Sequence, residues 1–455
     1  MESILLVVDV DGRRGVLRAA LADAGGRGVA FLTGSWPAGQ PRQLERTLVT
    51  TLRDLVRRSG LLPQEVAGVV LVAEADQAML WRADGLPLAG PLPLAGAGAE
   101  AAAAALEELR RSLPAGLPPA GGALRFGPLG AWLVAALCGG EGVAEAAGAD
   151  RLGLLDRRAR GWLPPARLGA AGAELAELLP PLRPSLGELG RTAPRVLDFP
   201  LPVVALLDRR VAEVAGHAGA CWSGGGWPEP AEALLLLEEE ATLRVVSGLP
   251  PEALEGEADP GRPQPGPLAE ESPPRVAFQE GMRLYSLLEA RAGPAGRLDR
   301  WLEEGLGLSS GWAETERLAR AAAPDGPARL ETGPDGRWEL RGLDEGSGAA
   351  VLARLVVEAP ATRAAAALEA WRHRAGEGAA PHHLHVGGLA ALSDLRLQAL
   401  ARATGLPALR ATQHAAVERG AVLLGARAVG RAAAGQEPDP FPATVFYPGS
   451  AEEEP

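Results

Sequence analysis

Hydrophobic and polar positions along the chain follow two different periods. Residues 4–10 form a nearly continuous apolar run rich in β-branched side chains, typical of a buried strand followed by a turn at Gly12. Residues 43–59 instead carry leucines at helical spacing, which predicts an amphipathic helix. The same reading of the first half predicts further strands at 15–21, 28–32, 66–72, 78–81 and 202–207, helices at 96–111 and 129–138, and short helices and turns over 163–190. Alternation of strands and helices predicts an α/β fold.

The second half continues this alternation. Two apolar runs within 231–246 flank the acidic triplet 238–240 and predict a hairpin. A second hairpin is predicted over 328–343 and a strand over 383–386. The helices predicted in this half are 278–292, 296–306, 361–375, 392–404 and 413–430. Residues 250–274 are dense in proline, glycine and acid and predict a solvated loop, and the polar tail 435–455 is expected to be frayed except around 441–447.

Composition narrows the class of protein. The chain has 455 residues, of which 47% are hydrophobic and 22% charged, so it is long enough for two or three domains with large cores. A net charge of −12 argues against a nucleic-acid partner or an anionic membrane surface. The chain contains no lysine, which excludes P-loop and lysine-nucleophile mechanisms. We find no disulfide framework, signal peptide or apolar span of membrane length, and we therefore expect a cytoplasmic protein.

Several short segments carry possible chemistry in a consistent order. Asp11 and Arg18 fit the spacing Asp-x-Gly-Thr-Thr-x-x-Arg, and 202–208 reads Pro-Val followed by Asp208 at the end of a strand. Late in the chain, 386–394 has the form Val-Gly-Gly-x-x-x-x-Ser-Asp before a helix. With the stretches 154–165, 179–190 and 420–430, these segments resemble the FGGY carbohydrate kinases (glycerol kinase, xylulokinase and relatives) over nearly the whole chain. The family belongs to the actin-like ATPase superfamily.

The resemblance implies a fold and a reaction. It implies two ribonuclease H-like (actin-like ATPase) domains around a central cleft, with 1–229 on the sugar side and 230–455 on the nucleotide side. The implied reaction is ATP-dependent phosphorylation of a sugar or polyol hydroxyl. Asp208 would be the catalytic base, and the alternative for this residue is a helix N-cap.

The resemblance also implies a cofactor site. The residues that would bind ATP are Asp11, Arg13, Arg14, Gly387, Gly388 and Ser393. Asp11, or else Asp9, would hold Mg²⁺, and the alternative for Asp11 is a turn-forming role. The partner would be a sugar or polyol, without nucleic acid or membrane, and a homodimer is compatible with the sequence.

The phosphate and sugar motifs differ from the family pattern. The first phosphate turn contains Arg13 and Arg14 where small residues are expected, and the second contains 238–240, three glutamates. The sugar-gripping stretch is reduced to 93–98, which has no charged side chain. Two hypotheses follow. The protein is a kinase of impaired or strongly divergent activity, or it is a non-catalytic pseudokinase in which Arg13 or Arg14 pairs with the glutamates and narrows the cleft.

Two other features are weaker candidates. His383 and His385 share one strand face and could bind a metal, but no acid or cysteine is near them in sequence, and a partly exposed strand entry explains them better. The segment 221–227 contains a cysteine beside glycines, but its glycine pattern fits an interdomain hinge better than a nucleophile.

Overall fold

The structure is a computed structural model that describes residues 4–37, 39–94, 96, 98–113, 124–169, 172–219, 231–255, 272–323, 326–332, 338–411, 415–430 and 443–449. The chain forms two compact units. Unit 1 contains Met1–Gly225, Arg275–Ser286 and Ala415–Pro440, and unit 2 contains Gly226–Pro274, Leu287–His414 and Phe441–Pro455. The hinge predicted at 221–227 lies outside the described residues, as do most of the 250–274 loop and most of the tail.

The strands are short to medium in length and lie in both units. They are β1 (Ile4–Asp11), β2 (Val16–Asp23), β3 (Gly28–Ser35), β4 (Val66–Ala73), β5 (Gln77–Arg82), β6 (Pro87–Pro93), β7 (Leu124–Pro128), β8 (Ala144–Glu145), β9 (Leu155–Asp156), β10 (Gly161–Trp162), β11 (Leu182–Arg183), β12 (Leu186–Arg191), β13 (Pro202–Asp208), β14 (Ala231–Leu237), β15 (Glu240–Ser247), β16 (Arg275–Glu280), β17 (Arg283–Pro294), β18 (Arg329–Thr332), β19 (Trp338–Arg341), β20 (Leu384–Gly387), β21 (Ala408–Ala411) and β22 (Ala443–Phe446).

The helices complete the α/β pattern. They are α1 (Pro41–Ser59), α2 (Ala99–Arg111), α3 (Leu129–Cys138), α4 (Ala146–Arg151), α5 (Gly172–Leu178), α6 (Arg209–Ala218), α7 (Pro251–Leu254), α8 (Gly296–Arg300), α9 (Trp312–Arg320), α10 (Ala349–Ala375), α11 (Asp394–Thr404) and α12 (Ala416–Ala428). Within the described chain, none of the helices has both the length and the apolar character of a membrane span.

The main sheet of unit 1 has the strand order β16-β12-β13-β4-β1-β2-β3. Strand β4 lies parallel to both β1 and β13, while β1, β2 and β3 form an antiparallel meander. Leucines of α1 and the nearly fully buried α3 form a core with this sheet. Helix α12 packs against α6 and against β1 and β4, so residues from near the end of the chain complete unit 1.

Unit 2 repeats the theme of a mixed sheet with helices. Its strand order is β22-β21-β20-β14-β15-β17, in which β14, β20 and β21 run parallel. Strand β14 also pairs antiparallel with β15, and β18 pairs with β19 in a separate hairpin. The core lies between the sheet, α10 and α11 and includes the buried side chains of Leu235, Leu368 and Trp371.

Most predicted elements are confirmed, and the α/β class is confirmed. The prediction of a helix at 278–292 is wrong, because this segment forms the end of β16 and most of β17, with a turn at Gly281 between them. Gly281 has φ of +54°, a conformation that glycine adopts without a steric penalty. Phe278 and Tyr285 stack across this turn with ring centroids 4.2 Å apart, a contact that the strand pairing creates.

Candidate active site

Five acidic side chains lie where the parallel strands of unit 1 end. Asp9 and Asp11 lie at the end of β1, Glu74 and Asp76 follow β4, and Asp208 ends β13. Because β1, β4 and β13 are parallel, their carboxyl ends meet at one edge of the sheet. Such an edge is the usual binding position in open α/β sheets, and in this protein five carboxyl groups lie there.

Arg209, the first residue of α6, lies among three of these acids. Its Nη1 atom is 2.5 Å from Asp11 Oδ2 and 3.8 Å from Glu74 Oε1, and its Nε atom is 3.5 Å from Asp9 Oδ1. Asp11 Oδ1 also accepts the backbone N–H of Arg14 at 2.9 Å, and Glu74 Oε2 accepts that of Gly12 at 3.0 Å. We call Asp9, Asp11, Glu74 and Arg209 the Arg209 cluster.

Burial shifts the protonation of the acids in this cluster. Desolvation raises the pKa of Asp9 to about 7, against the attraction of Arg209. Desolvation also raises the pKa of Glu74 to about 7, although the Gly12 N–H opposes the shift. For Asp11, desolvation acts in the same direction, but hydrogen bonds from the Arg14 backbone and from Arg209 outweigh it and lower the pKa. Asp11 is thus the acid of the cluster that holds its negative charge most firmly.

Arg210 makes a second group of ion pairs beside the first. Its Nη2 atom donates to Asp76 Oδ2 at 2.6 Å, and its Nη1 atom lies 3.4 Å from Asp208 Oδ2. Asp208 Oδ1 accepts the backbone N–H of Arg210 at 3.0 Å and so caps α6. Arg151 Nε lies 3.7 Å from Asp208 Oδ2, and the Asp208 side chain has 0% of its surface exposed. The structure therefore places Asp208 in the N-cap position, enclosed by two arginines.

A further buried carboxylate lies close enough to Asp208 for their charges to interact. Glu145 accepts the backbone N–H groups of Ala147 and Gly148 and the hydroxyl of Ser185, which caps the short helix α4. Desolvation raises the pKa of Glu145 to about 7, and the charge of Asp208 adds to that shift. The two carboxylates are thus electrostatically linked.

Arg13 and Arg14 occupy the turn between β1 and β2. Arg13 Nη2 donates to Asp76 Oδ2 at 2.6 Å, and Arg14 Nε lies 3.8 Å from Asp11 Oδ2. The turn closes at Gly15, which has φ of +65° and where an added Cβ would lie 2.3 Å from the Trp36 carbonyl oxygen. The first phosphate turn predicted from the sequence is therefore a turn whose arginines bind the acids of their own unit.

The glutamates of the second turn also pair within their own unit. Glu239 forms an ion pair with Arg300, and Glu240 Oε1 lies 2.5 Å from Arg297 Nη1. Both partners are arginines of α8. The pseudokinase hypothesis had instead predicted Arg13 or Arg14 as the partner of these glutamates.

Gly387, Gly388 and Ser393 lie around the end of β20. Gly388 has φ of +92°, and a Cβ there would lie 2.5 Å from the Leu237 carbonyl oxygen, so glycine allows this loop to approach β14 closely. Ser393 caps α11 by accepting the Arg396 N–H at 3.2 Å. Gly388 and Ser393 therefore have structural roles, and a role of Gly387, Gly388 and Ser393 in nucleotide binding stays a prediction.

The acids of unit 1 do not fit a Mg²⁺ ion in this arrangement. Mg²⁺ requires oxygen ligands in a near-octahedral shell. The Oδ2 atom of Asp11, which would be one such ligand, already accepts a hydrogen bond from Arg209. Across the described residues, no group of three or more His, Cys, Asp or Glu side chains is arranged to hold a metal ion. This includes His383, which precedes β20, and buried His385 within β20, whose Nε2 atom lies 3.4 Å from Glu232 Oε2.

The sequence prediction found only part of this site. Asp9, Asp11, Arg13, Arg14 and Asp208 do lie together at one sheet edge. The residues that it missed are Glu74, Asp76, Glu145, Arg151, Arg209 and Arg210. The sequence did contain a signal for four of them. Glu74 and Asp76 come shortly after the predicted strand 66–72, and Arg209 and Arg210 come directly after Asp208.

Known proteins with similar sequences are carbohydrate kinases. Residues 325–429 match the C-terminal domain of the FGGY family of carbohydrate kinases. The glycerol kinase of Alkalilimnicola ehrlichii is 32% identical over 320 residues, and the match covers 68% of this chain and 59% of that protein. The glycerol kinase of a Polaromonas species is 25% identical over 417 residues, with coverage of 82% and 79%.

Solved structures with the same fold are also kinases of this kind. Plasmodium falciparum glycerol kinase superimposes with a TM-score of 0.75 at 13% identity, over 98% of this chain and 94% of that one. Xylulose kinase from Rhodospirillum rubrum gives a TM-score of 0.72 at 15% identity, over 98% and 93%. At such identities the likeness shows the fold, which consists of two actin-like, ribonuclease H-like domains. Since the family model and the relatives agree, the chain belongs to the FGGY family of carbohydrate kinases.

Proposed function

We propose that this protein is a carbohydrate kinase homologue in which ATP-dependent phosphorylation of a sugar or polyol hydroxyl is strongly impaired. The observation that carries the proposal is the enclosure of Asp208, whose side chain is fully buried between Arg151 and Arg210. A general base must lie within hydrogen-bond reach of the hydroxyl that it deprotonates. Asp208 instead uses one oxygen to cap α6 and directs the other towards the two arginines.

The electrostatics of the turns support the same proposal. Phosphoryl transfer depends on groups that neutralise the charge of the triphosphate, chiefly Mg²⁺ and backbone amides. The carboxylates that would hold Mg²⁺ in unit 1 are paired with Arg209, and the turn between β14 and β15 carries glutamates. Carboxylates repel a triphosphate, and the repulsion grows as the local dielectric constant falls.

An assay of ADP release tests this proposal directly. Glycerol, xylulose and gluconate, the substrates named for the relatives and structural neighbours, would each be supplied with MgATP at millimolar concentration. We expect no ADP above background from the wild type, and the same result from Asp208→Asn. The exposed Asp198→Asn serves as a control for the loss of one charge in unit 1, and an active glycerol kinase serves as the positive control. Sugar-dependent turnover that disappears in Asp208→Asn but persists in Asp198→Asn would overturn the proposal.

The second candidate function is that of a non-catalytic binding or regulatory protein. It is favoured by the number of charges that are balanced internally, since Arg13, Arg209 and Arg210 all pair with acids of unit 1. Titration calorimetry with MgATP separates this candidate from a weakly active enzyme. We expect no heat of binding at millimolar nucleotide, and saturable binding with a stoichiometry of about one would exclude it in this form.

A further inference from the structure

We propose that Arg209 is a built-in counter-cation that takes the place of a divalent metal among Asp9, Asp11 and Glu74. Removal of its guanidinium would therefore open a site for Mg²⁺ or Mn²⁺. The inference concerns the ionic state of unit 1 and goes beyond the question of whether sugar is phosphorylated.

The position of the guanidinium is the first argument. One charged group approaches three carboxylates that come from two parallel strands, at 2.5, 3.5 and 3.8 Å. Carboxylates that lie this close together in a buried setting require a cation among them or must take up protons. Arg209 is the nearest cation to Asp11, and it is supplied by the residue that follows the predicted base Asp208.

A small cavity beside Arg209 is the second argument. It has a volume of about 40 Å³ and is lined by Asp9, Asp11, Arg14, Val16, Arg18 and Arg209. Asp9 is 1% exposed, and its Oδ1 atom lies 3.5 Å from Arg209 Nε but accepts no hydrogen bond. A buried carboxylate oxygen without a hydrogen bond is an acceptor still available to a ligand, and a cavity of this size has room for at least one water molecule.

The chemistry of the two cations differs in a way that makes the inference testable. A guanidinium is always protonated and satisfies carboxylates through directed N–H groups, whereas Mg²⁺ and Mn²⁺ take carboxylate oxygens and water in an octahedral shell. Without Arg209, the cavity would extend into the volume of the guanidinium. Arg14 and Arg18 would still line it, and the oxygen ligands facing the vacated volume would be the three carboxylates that now lie within 4 Å of Arg209. Such a set of ligands is of the kind that Mg²⁺ and Mn²⁺ bind.

The test is a titration with Mn²⁺ alone. Binding is measured from the decrease in the EPR signal of the free ion. We expect Arg209→Gln to bind about one equivalent of Mn²⁺ at least about tenfold more tightly than the wild type. Arg209→Gln combined with Asp11→Asn should lose this gain. Arg210→Gln is the matched control, because it removes a neighbouring guanidinium but leaves Arg209 on its three acids. Binding by Arg209→Gln no tighter than by the wild type would overturn the inference.

Two further measurements guard against misfolding of the variant. Arg209→Lys keeps a cation at this position and should fold and bind no more Mn²⁺ than the wild type. Mg²⁺ should raise the melting temperature of Arg209→Gln but leave that of the wild type unchanged. Tight Mn²⁺ binding by the wild type that Asp11→Asn abolishes would by itself overturn the inference. None of these measurements reads kinase activity, so an active wild type would refute the proposed function without deciding this one.

Discussion

At the scale of single residues, the acids of unit 1 differ in pKa because their surroundings differ. Asp9 and Glu74 have pKa values of about 7 because burial disfavours their charged forms, while Asp11 keeps its charge through hydrogen bonds. A carboxyl whose pKa is raised on folding stabilises the folded chain fully at pH values below its unfolded pKa. This contribution is lost as the pH rises through the folded value.

The first prediction concerns Glu74. Between pH 5 and 7 the folded wild type should hold a proton that the unfolded chain has released, so its free energy of unfolding should fall with rising pH. Glu74→Gln removes this proton linkage and keeps an oxygen for the Gly12 N–H. The difference in unfolding free energy, wild type minus variant, should fall by about 1 kcal/mol per pH unit. Urea unfolding at pH 5, 6 and 7 measures it, with the exposed Glu107→Gln as control, and parallel curves for wild type and Glu74→Gln would contradict it.

The second prediction concerns Asp208 as a structural residue. Asp208→Ala removes the cap of α6 and leaves the charge of Arg151 facing an uncharged residue, and we expect it to cost about 3–5 kcal/mol of unfolding free energy. Asp208→Asn keeps an oxygen that can accept the Arg210 N–H and should cost clearly less. Urea denaturation ranks the two variants. Equal losses would show that the cap contributes nothing.

The sequence allowed only half of this site to be predicted. Asp11 and Asp208 could be found because an acid after a buried strand is a local pattern. The roles of Arg209 and Arg210 depend on the pairing of β1, β4 and β13, which brings together residues nearly 200 positions apart along the chain. Side-chain partners at that separation are not encoded in any local spacing.

At the scale of elements, the hydrophobic pattern correctly predicted helices and strands whose periodicity is clear. It failed where the same segment fits both a helical and a strand periodicity. Helix α1 has its buried leucines on one face, and its prediction is confirmed. In 278–292, apolar residues are frequent enough to fit a helix, yet Gly281 breaks the segment and its two arms pair as strands. The deciding interaction is the pairing of β16 with β17, a tertiary effect that propensity does not contain.

The third prediction concerns the contact between α6 and α12. Glycines on both helices allow the two backbones to pack closely. A Cβ on Gly420 would lie 1.8 Å from the Ala212 carbonyl oxygen, and one on Gly216 would lie 1.7 Å from that of Ala416. Gly420→Ala must therefore push the helices apart, and we expect a loss on the order of 3 kcal/mol. Gly140→Ala is the control, since nothing lies within 4 Å of its Cβ position. Thermal or urea unfolding compares the two, and an unaffected Gly420→Ala would refute the packing argument.

At the scale of the whole molecule, each unit is assembled from separated segments of the chain. Unit 1 takes its last helix from Ala415–Pro440, after the chain has passed through unit 2. In this helix, a Cβ on Gly425 would lie 2.3 Å from a methyl group of Val70, which shows how closely α12 covers β4. The two-domain fold could be predicted from the family resemblance, whereas this exchange of segments could not, because it has no sequence signature.

The fourth prediction follows from this assembly. A chain that ends at residue 414 should lose the protection of backbone amides in β1 and β4 from hydrogen exchange, because the apolar surface under α12 becomes exposed. A chain that ends at residue 440 keeps α12 and should retain this protection, although it lacks β22. Hydrogen-exchange mass spectrometry compares the two chains. Full protection of β1 in the shorter chain would show that α12 is dispensable to unit 1.

The attachment of Arg209 to the backbone of α6 has one more consequence. A bound metal ion equilibrates with its surroundings and can be stripped by EDTA, but a guanidinium tethered by its own chain stays at a fixed local concentration. The charge balance at this edge of the sheet should therefore be indifferent to chelators and to the supply of magnesium in the medium. The protein would thus supply its own counter-charge at this edge of the sheet, and this counter-charge cannot dissociate because it is covalently attached.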